Sequence, residues 1–244
     1  MRLLSISIGL SVLGSLGGVI VASSFLLLRE RIRGRLVPWL ISYAVGTLVG
    51  VALLALVPEA LSALPARPAM LTMVGGILSF FLLEKAVIWR HCHDDEDCHV
   101  HSTAASLVIV GDMFHTFVDG AVIAAAVLTS VPLGITTALA VAAHEIPQEV
   151  GDVAILLRAG YSRMRAFTLN LLAGIGGIVG AGAMVLASEL IPQALPYVLA
   201  FAAGNFLYVA MADLIPDLHR GNVGGARQFL LIGAGIVTIA FLQS

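Results

Sequence analysis

The sequence predicts an all-α, polytopic membrane protein with eight transmembrane helices in a single bundle. Of its 244 residues, 59% are hydrophobic and only 11% charged, and the mean hydropathy is +1.00. A soluble domain carries about 25% charged residues. The apolar runs are helical in length, without the short alternating segments of a transmembrane barrel. The basic residues also alternate about these runs in one consistent sense.

The runs cover about 3–28, 36–63, 69–89, 103–128, 132–157, 166–187, 195–215 and 224–242. In the last, the uninterrupted apolar core starts only at Phe229. The connections are short, so residues 1–244 read as one transmembrane domain containing a polar loop at 90–102. The first run has features of a signal peptide: Arg2, an apolar stretch, then Ala22-Ser23-Ser24. A cleaved chain would begin outside and present Arg29, Arg31, Arg33 and Arg35 at once. Four arginines are better held in the cytoplasm, so the run is read as a span.

With that cluster inside, alternation puts Lys85, Arg90, Arg158, Arg163, Arg165, Arg220 and Arg227 on the same side and leaves only Arg2 and Arg67 opposite. Eleven of the 13 basic residues then face the cytoplasm, an asymmetry that sets orientation. Both termini are expected outside. The short loops point to a prokaryotic cell (inner) membrane. No basic patch is interleaved with aromatics, which argues against nucleic acid as a partner. The lipid bilayer is an expected partner; a homodimer is compatible with the sequence but not required by it.

Glycines cluster in the first run (Gly9, Gly14, Gly17, Gly18) and the sixth (Gly174, Gly176, Gly177, Gly180, Gly182). Gly75-Gly76 in the third run is echoed by Gly233 and Gly235 in the eighth. Such residues let membrane helices approach closely. The pattern fits an inverted repeat of helices 1–3 and 6–8 around helices 4 and 5, and it equally fits generic small-residue packing.

The fourth and fifth runs each carry a costly polar segment, His115-Thr116-Phe117-Val118-Asp119-Gly120 and His144-Glu145-Ile146-Pro147-Gln148-Glu149. Ionisable residues at such depth mark functional sites by default. Thr129-Ser130-Val131-Pro132 joins the two runs and permits only an antiparallel hairpin. At about 1.5 Å per residue, His115 and His144 both fall roughly 21–23 Å from that turn, so the segments share a depth near the midplane. Asp112, His115, Thr116 and Asp119 form one helical stripe; His144, Glu145, Gln148, Glu149 and Asp152 form another. Facing lipid would cost several kcal/mol per group, so the stripes must face each other or water.

His115 with Asp119, and His144 with Gln148, stand at i, i+4 and can each grip one ion. Glu145 and Asp119 can reach a second ion or bridge two. Pro147 frees the carbonyl of Ala143 and bends the helix beside the ligands. A set of imidazole, carboxylate and amide suits Zn²⁺, Fe²⁺, Mn²⁺, Co²⁺, Ni²⁺ or Cd²⁺ better than Cu⁺. The competing reading is a hydrogen-bonded polar seam or proton path. Two matched stripes of acids and imidazoles with no Lys or Arg in them favour a metal.

These two segments, and Val150-Gly151-Asp152 after them, resemble the Zrt/Irt-like (ZIP) transporters of divalent metals. The second segment is similar to the His-Glu-Ile-Pro-His-Glu signature of one branch. The resemblance extends over the whole chain and implies eight spans with both ends outside. It puts His115, Asp119, His144 and Gln148 on a primary metal site, and Thr116, Asp119, Glu145 and Gln148 on an adjacent secondary one. Asn170 falls near a further ligand position. Thr116 stands where the family usually has Asn, and Gln148 where this branch has His. A hydroxyl is the weaker ligand, and Gln makes the first site harder. Ala55 occupies a place where related branches carry His. The resemblance also implies an elevator-like sliding motion.

The loop His91-Cys92-His93-Asp94-Asp95-Glu96-Asp97-Cys98-His99-Val100-His101 is expected to collect metal on the cytoplasmic side, with His91, His93, His99 and His101 as ligands. A Cys92–Cys98 disulfide is disfavoured there. Asn205 is expected to bond between helices. The functional expectation is a transporter that takes a divalent metal, Zn²⁺ first and then Fe²⁺, Mn²⁺ or Cd²⁺, inward by alternating access through a midplane site. The metal is cargo and no cofactor is expected. The rival is an intramembrane zinc metalloprotease, since His144-Glu145 opens a His-Glu-x-x-His motif. The residue in its last place is Gln148, so the chain is not expected to be an enzyme. A metal-independent proton or organic-ion carrier is a third reading.

Overall fold

The computed structural model describes residues 2–25, 27–89, 100–220 and 224–244. Among these, regular structure is entirely helical. The helices are α1 (Arg2–Phe25), α2 (30–63), α3 (Ala66–Trp89), α4 (Val100–Thr129), α5 (Val131–Arg158), α6 (Arg163–Leu190), α7 (195–220) and α8 (Gly225–Leu242). They match the eight apolar runs in order. A short 3₁₀ turn, Pro192–Ala194, leads into α7. α4 opens at Val100, so residues 100–102 of the expected polar loop are helical.

Seven of these helices contain segments long and apolar enough to cross a membrane. The exception is α5, where Glu145, Glu149 and Asp152 break the apolar run. Its 28 residues reach roughly 42 Å at the α-helical rise, beyond a hydrocarbon core of about 30 Å. Length therefore permits the eighth crossing that apolarity alone does not establish. The outer faces carry Leu13, Leu82, Phe229 and Phe241, each more than 60% exposed. Exposure on this scale suits a multi-pass membrane protein, whose surround is itself apolar.

Local chemistry sets the hairpin that holds the polar segments. Ser130 caps α5, its Oγ accepting from the Leu133 amide at 3.3 Å, and Pro132 occupies the first turn. Ser162 caps α6 in the same way, accepting from the Arg165 amide. Between them, Gly160 takes φ 87° just beyond α5, a conformation open to glycine.

The helices form two groups. α4 and α6 pack most intimately, and α1 lies against α4, α5 and α6. In the second group α8 pairs with α2 and α3 pairs with α7, while α2 and α7 also touch. The groups meet mainly where α5 crosses α2 and α4 meets α7.

The second group fits the expected repeat in detail. A π-helical turn interrupts α2 at Val51–Leu56 and α7 at Val209–Leu214. Each starts five residues after a glycine, Gly46 or Gly204, and each is followed by a proline and an acid, Pro58-Glu59 or Pro216-Asp217. Gly46 lies on the Ile232 backbone of α8, and Gly235 lies on Tyr43 of α2. Correspondingly, Gly204 lies on Met73 of α3, and Gly76 lies on Phe201 of α7. Exchanging α2 for α7 and α8 for α3 maps one interface onto the other. A third π turn, Val12–Leu16, interrupts α1.

Between α4 and α6, a Cβ at Gly120 would collide with the Gly177 carbonyl, whereas one at Gly111 on the same helix would meet nothing within 4 Å. Replacing glycine with alanine in a helix interior gains about 0.5–1 kcal/mol in open space, but overpacking costs about 1–3 kcal/mol. Gly111→Ala should therefore raise the thermal midpoint of the purified protein and Gly120→Ala should lower it. Shifts of the same sign would contradict the close α4–α6 packing.

Candidate metal centre

The α4–α5 hairpin brings both polar stripes inward. His115, Asp119, His144 and Glu145 each direct one ligand atom into a cluster whose members lie within 4.8 Å of one another. The His115 and His144 Nε2 atoms are 3.2 Å apart. His144 Nε2 is 3.0 Å from Asp119 Oδ2 and 3.8 Å from Glu145 Oε1. His115 Nε2 lies 3.6 Å from both carboxylates. His115 is 9% exposed and the other three at most 1%.

His144 Nδ1 is 3.1 Å from the Ala140 carbonyl. A carbonyl only accepts, so Nδ1 carries the hydrogen, and in the neutral ring the Nε2 lone pair points into the cluster. Four basic atoms thus converge in a space closed to bulk water. They need a shared proton or a cation to hold them. Zinc ligands at about 2.0–2.1 Å in tetrahedral array stand roughly 3.3 Å apart, and the observed separations of 3.0–3.8 Å bracket that spacing.

The surrounding wall comes from both helix groups. Phe80 of α3 meets the His115 ring edge-on at 5.8 Å, and Phe206 of α7 meets His144 at 6.0 Å. On the other side Gly18 of α1 sits over Glu145, where even a Cβ would come within 3.1 Å of the Glu145 Cβ. The cluster therefore lies at the boundary between the groups, with its ligands on one and two aromatic rings from the other.

The remaining expected ligands fall around it. Gln148 is half-buried on α5, one turn from His144. Glu149 is fully buried, outside the group of four, and among the described residues neither of its oxygens has a hydrogen-bond partner. Asn170 on α6 is likewise fully buried with both amide atoms unpartnered. Thr116 is buried, but its hydroxyl sits 3.0 Å from the Asp112 carbonyl, 3.1 Å from Met113 and 2.9 Å from Ala173 of α6. Its hydrogen is spent on backbone, which suits a link between α4 and α6. The loop residues His91, His93 and His99 lie outside the described residues, as does the side chain of His101. The Asn205 amide, expected to bond between helices, has no hydrogen-bond partner among the described residues.

Sequence reasoning missed Phe80 and Phe206, whose approach is tertiary and leaves no local signal. It placed Asp112 on the α4 stripe but not among the ligands. In the structure Asp112 is 4% exposed, and neither oxygen has a hydrogen-bond partner among the described residues.

A family model described as ZIP Zinc transporter matches residues 89–243. The chain is 34% identical over 221 residues to Zinc transporter ZIP13 of Pongo abelii, covering 84% of this chain and 66% of the relative. Zinc transporter ZIP13 of Homo sapiens is 32% identical over 259 residues, covering 84% of this chain and 70% of the relative. Zinc transporter ZIP10 of Mus musculus is 36% identical over 133 residues, covering 54% of this chain and 16% of that protein. The chain thus spans about two thirds of the length of the two ZIP13 relatives.

Disturbing groups behind a metal ligand typically costs 10–100-fold in affinity, and losing a ligand should cost at least as much. His144→Ala should weaken Zn²⁺ binding, measured by titration calorimetry, by at least roughly tenfold. Thr116→Val should change affinity by less than about threefold while lowering stability by about 1 kcal/mol, the worth of one buried hydrogen bond. Equal loss of affinity in both variants would return Thr116 to the ligand set.

Proposed function

The chain belongs to the ZIP zinc transporter family, and from that premise we propose that it carries divalent transition-metal ions, zinc first, across a cell membrane into the cytosol. The observation that carries this reading is the convergence of His115, Asp119, His144 and Glu145 between α4 and α5. The names of the similar proteins support zinc as cargo, and the mixed nitrogen and oxygen ligands also suit Fe²⁺, Mn²⁺ and Cd²⁺.

In this reading α5 is the eighth crossing, and its acids are tolerated because they face protein rather than lipid. We place both termini outside, in a cytoplasmic membrane with the apolar faces against the bilayer; a homodimer is the assembly to test. An ion arriving from outside sheds water and exchanges it for the imidazoles and carboxylates. Gln148, one turn from His144, supplies an amide oxygen. Asp119 and Glu145 carry the negative charge that offsets dehydration of a dication. The His-rich segment near 91–101 receives the ion on the cytoplasmic side.

The division of the helices supports alternating access. α1, α4, α5 and α6 hold the ligands, while α2, α3, α7 and α8 supply the apolar wall of Phe80 and Phe206. Sliding the first group along the second would move the cluster from one face of that wall to the other. Among the described residues the wall offers aromatic edges and no ionic partner to the two imidazoles, so little polar bonding there opposes the slide.

The protease reading has less support. Its zinc motif needs a second imidazole where Gln148 stands, and ZIP family members are transporters rather than enzymes.

Proteoliposomes holding the intact chain should take up ⁶⁵Zn²⁺, and His115→Ala or Asp119→Ala should reduce uptake to the level of empty vesicles. Gln148→His, which softens the site, should raise the preference for Zn²⁺ over Mn²⁺ severalfold in competition. Unchanged uptake in both alanine variants would sink the proposed pathway.

A further inference from the structure

α2 enters the bundle through a face that is both basic and apolar. Arg31, Arg35 and Trp39 follow i, i+4, i+8 spacing, and Ile32 and Leu36 stand one residue beyond the two arginines, so the five share one side of the helix. Together they line a cavity of about 440 Å³, within the range of small-molecule sites, roughly 300–1,000 Å³. Arg31, Ile32, Arg35 and Trp39 are exposed and Leu36 is half-buried. Among the described residues, no carboxylate forms an ion pair with Arg31 or Arg35.

Depth matters as much as composition. The stretch of α2 that is long and apolar enough to cross a membrane begins at Gly34. Arg31 precedes that stretch and Trp39 lies inside it, so the arginine-to-tryptophan face extends over about 12 Å of helix axis. An interval of this kind straddles the boundary between headgroups and acyl chains, where guanidinium heads and indole rings settle. Residues four apart on a helix have Cβ atoms about 5–6 Å from one another, close enough for two guanidinia to grip one phosphate. Their planar forks match its oxygens, which a point charge does not. Arginines that only orient a helix reach into solvent singly and need neither a cavity nor an aromatic ring beneath them.

We propose that Arg31, Ile32, Arg35, Leu36 and Trp39 bind an anionic phospholipid, its phosphate between the two guanidinia and an acyl chain along Leu36 and Trp39. The occupant is a lipid and not a free phosphate, because three of the five lining side chains are apolar and the cavity runs down into the apolar stretch. Inorganic phosphate would leave Leu36 and Trp39 without a partner. Two guanidinia favour phosphatidylglycerol, which is net negative, over phosphatidylcholine, whose ammonium offsets its own phosphate. A lipid held there fixes the depth at which α2 enters the leaflet. The site uses no residue of the metal cluster and stands apart from the transport reading.

The chain has two tryptophans, Trp39 and Trp89, so Trp89→Phe leaves Trp39 as the only indole. The full-length variant in phosphatidylcholine vesicles is titrated with phosphatidylglycerol or phosphatidylcholine carrying a nitroxide high on one acyl chain, which quenches indole fluorescence on contact. An arginine at a charged membrane surface is worth roughly fivefold in binding, so phosphatidylglycerol should reach half-maximal quenching at a mole fraction at least about tenfold lower than phosphatidylcholine. Arg31→Gln and Arg35→Gln, made separately, should each cut that preference by about fivefold, and Arg35→Lys should cut it too, since an ammonium cannot fork. Arg163→Gln, exposed at the start of α6 and outside the cavity, should leave it unchanged. Size-exclusion profiles check folding, and either glutamine variant alone decides if the other misfolds. Equal quenching by the two lipids would overturn the site. So would a loss as large in Arg163→Gln as in the cavity variants, which means diffuse attraction. Displacement of the lipid by inorganic phosphate at constant ionic strength would overturn it in favour of a free-anion site.

Discussion

Everything in this structure answers to the cost of placing two imidazoles and several carboxylates in the middle of apolar helices. Each would lose several kcal/mol if it faced hydrocarbon alone. The solution is mutual: α4 and α5 form a tight hairpin, their stripes meet, and His115, Asp119, His144 and Glu145 converge. The convergence creates a second demand, because four basic atoms in one dry space repel unless a cation or proton joins them. In the proposed reading, the transported cation meets that demand.

The packing follows from that demand. α4 must be held against α6 closely enough to exclude lipid, and Gly120, Gly177 and Gly180 allow the backbones to touch. Thr116 bridges the same seam through the Ala173 carbonyl. Among the described residues, the other four helices give no ligand to the cluster and confront it with aromatic rings. In the proposed reading, holding an ion and letting it move are assigned to different surfaces. The four candidate ligands all lie within one group, and aromatic rings of the other group meet the two imidazoles at the boundary.

Much of this was legible in the sequence, for identifiable reasons. The all-helical, many-span architecture followed from the length of the apolar runs, which the order of residues along the chain displays directly. The shared depth of His115 and His144 followed from counting residues on either side of Ser130, since helical rise is nearly constant. What escaped needed tertiary information. The π turns at Val51–Leu56 and Val209–Leu214 shift hydrogen bonds by one residue and leave no mark in hydropathy. Thr116 was placed on a secondary site by the family resemblance, and only the structure shows its hydroxyl 2.9 Å from the Ala173 carbonyl of α6. Phe80 and Phe206 looked like ordinary core residues until α3 and α7 were seen against the imidazoles. The acids of α5 were visible from the start, but their effect on its span assignment was not: they remove α5 from the helices that apolarity alone would count.

The central claim is that the transported ion rests among His115, Asp119, His144 and Glu145. Anomalous X-ray scattering at the zinc edge, from crystals of the protein grown with Zn²⁺, locates that ion directly. The account predicts a peak enclosed by those four side chains, about 2.0–2.2 Å from their ligand atoms. A zinc-loaded protein whose anomalous peaks all lie elsewhere, with the four side chains still packed against one another, would contradict it.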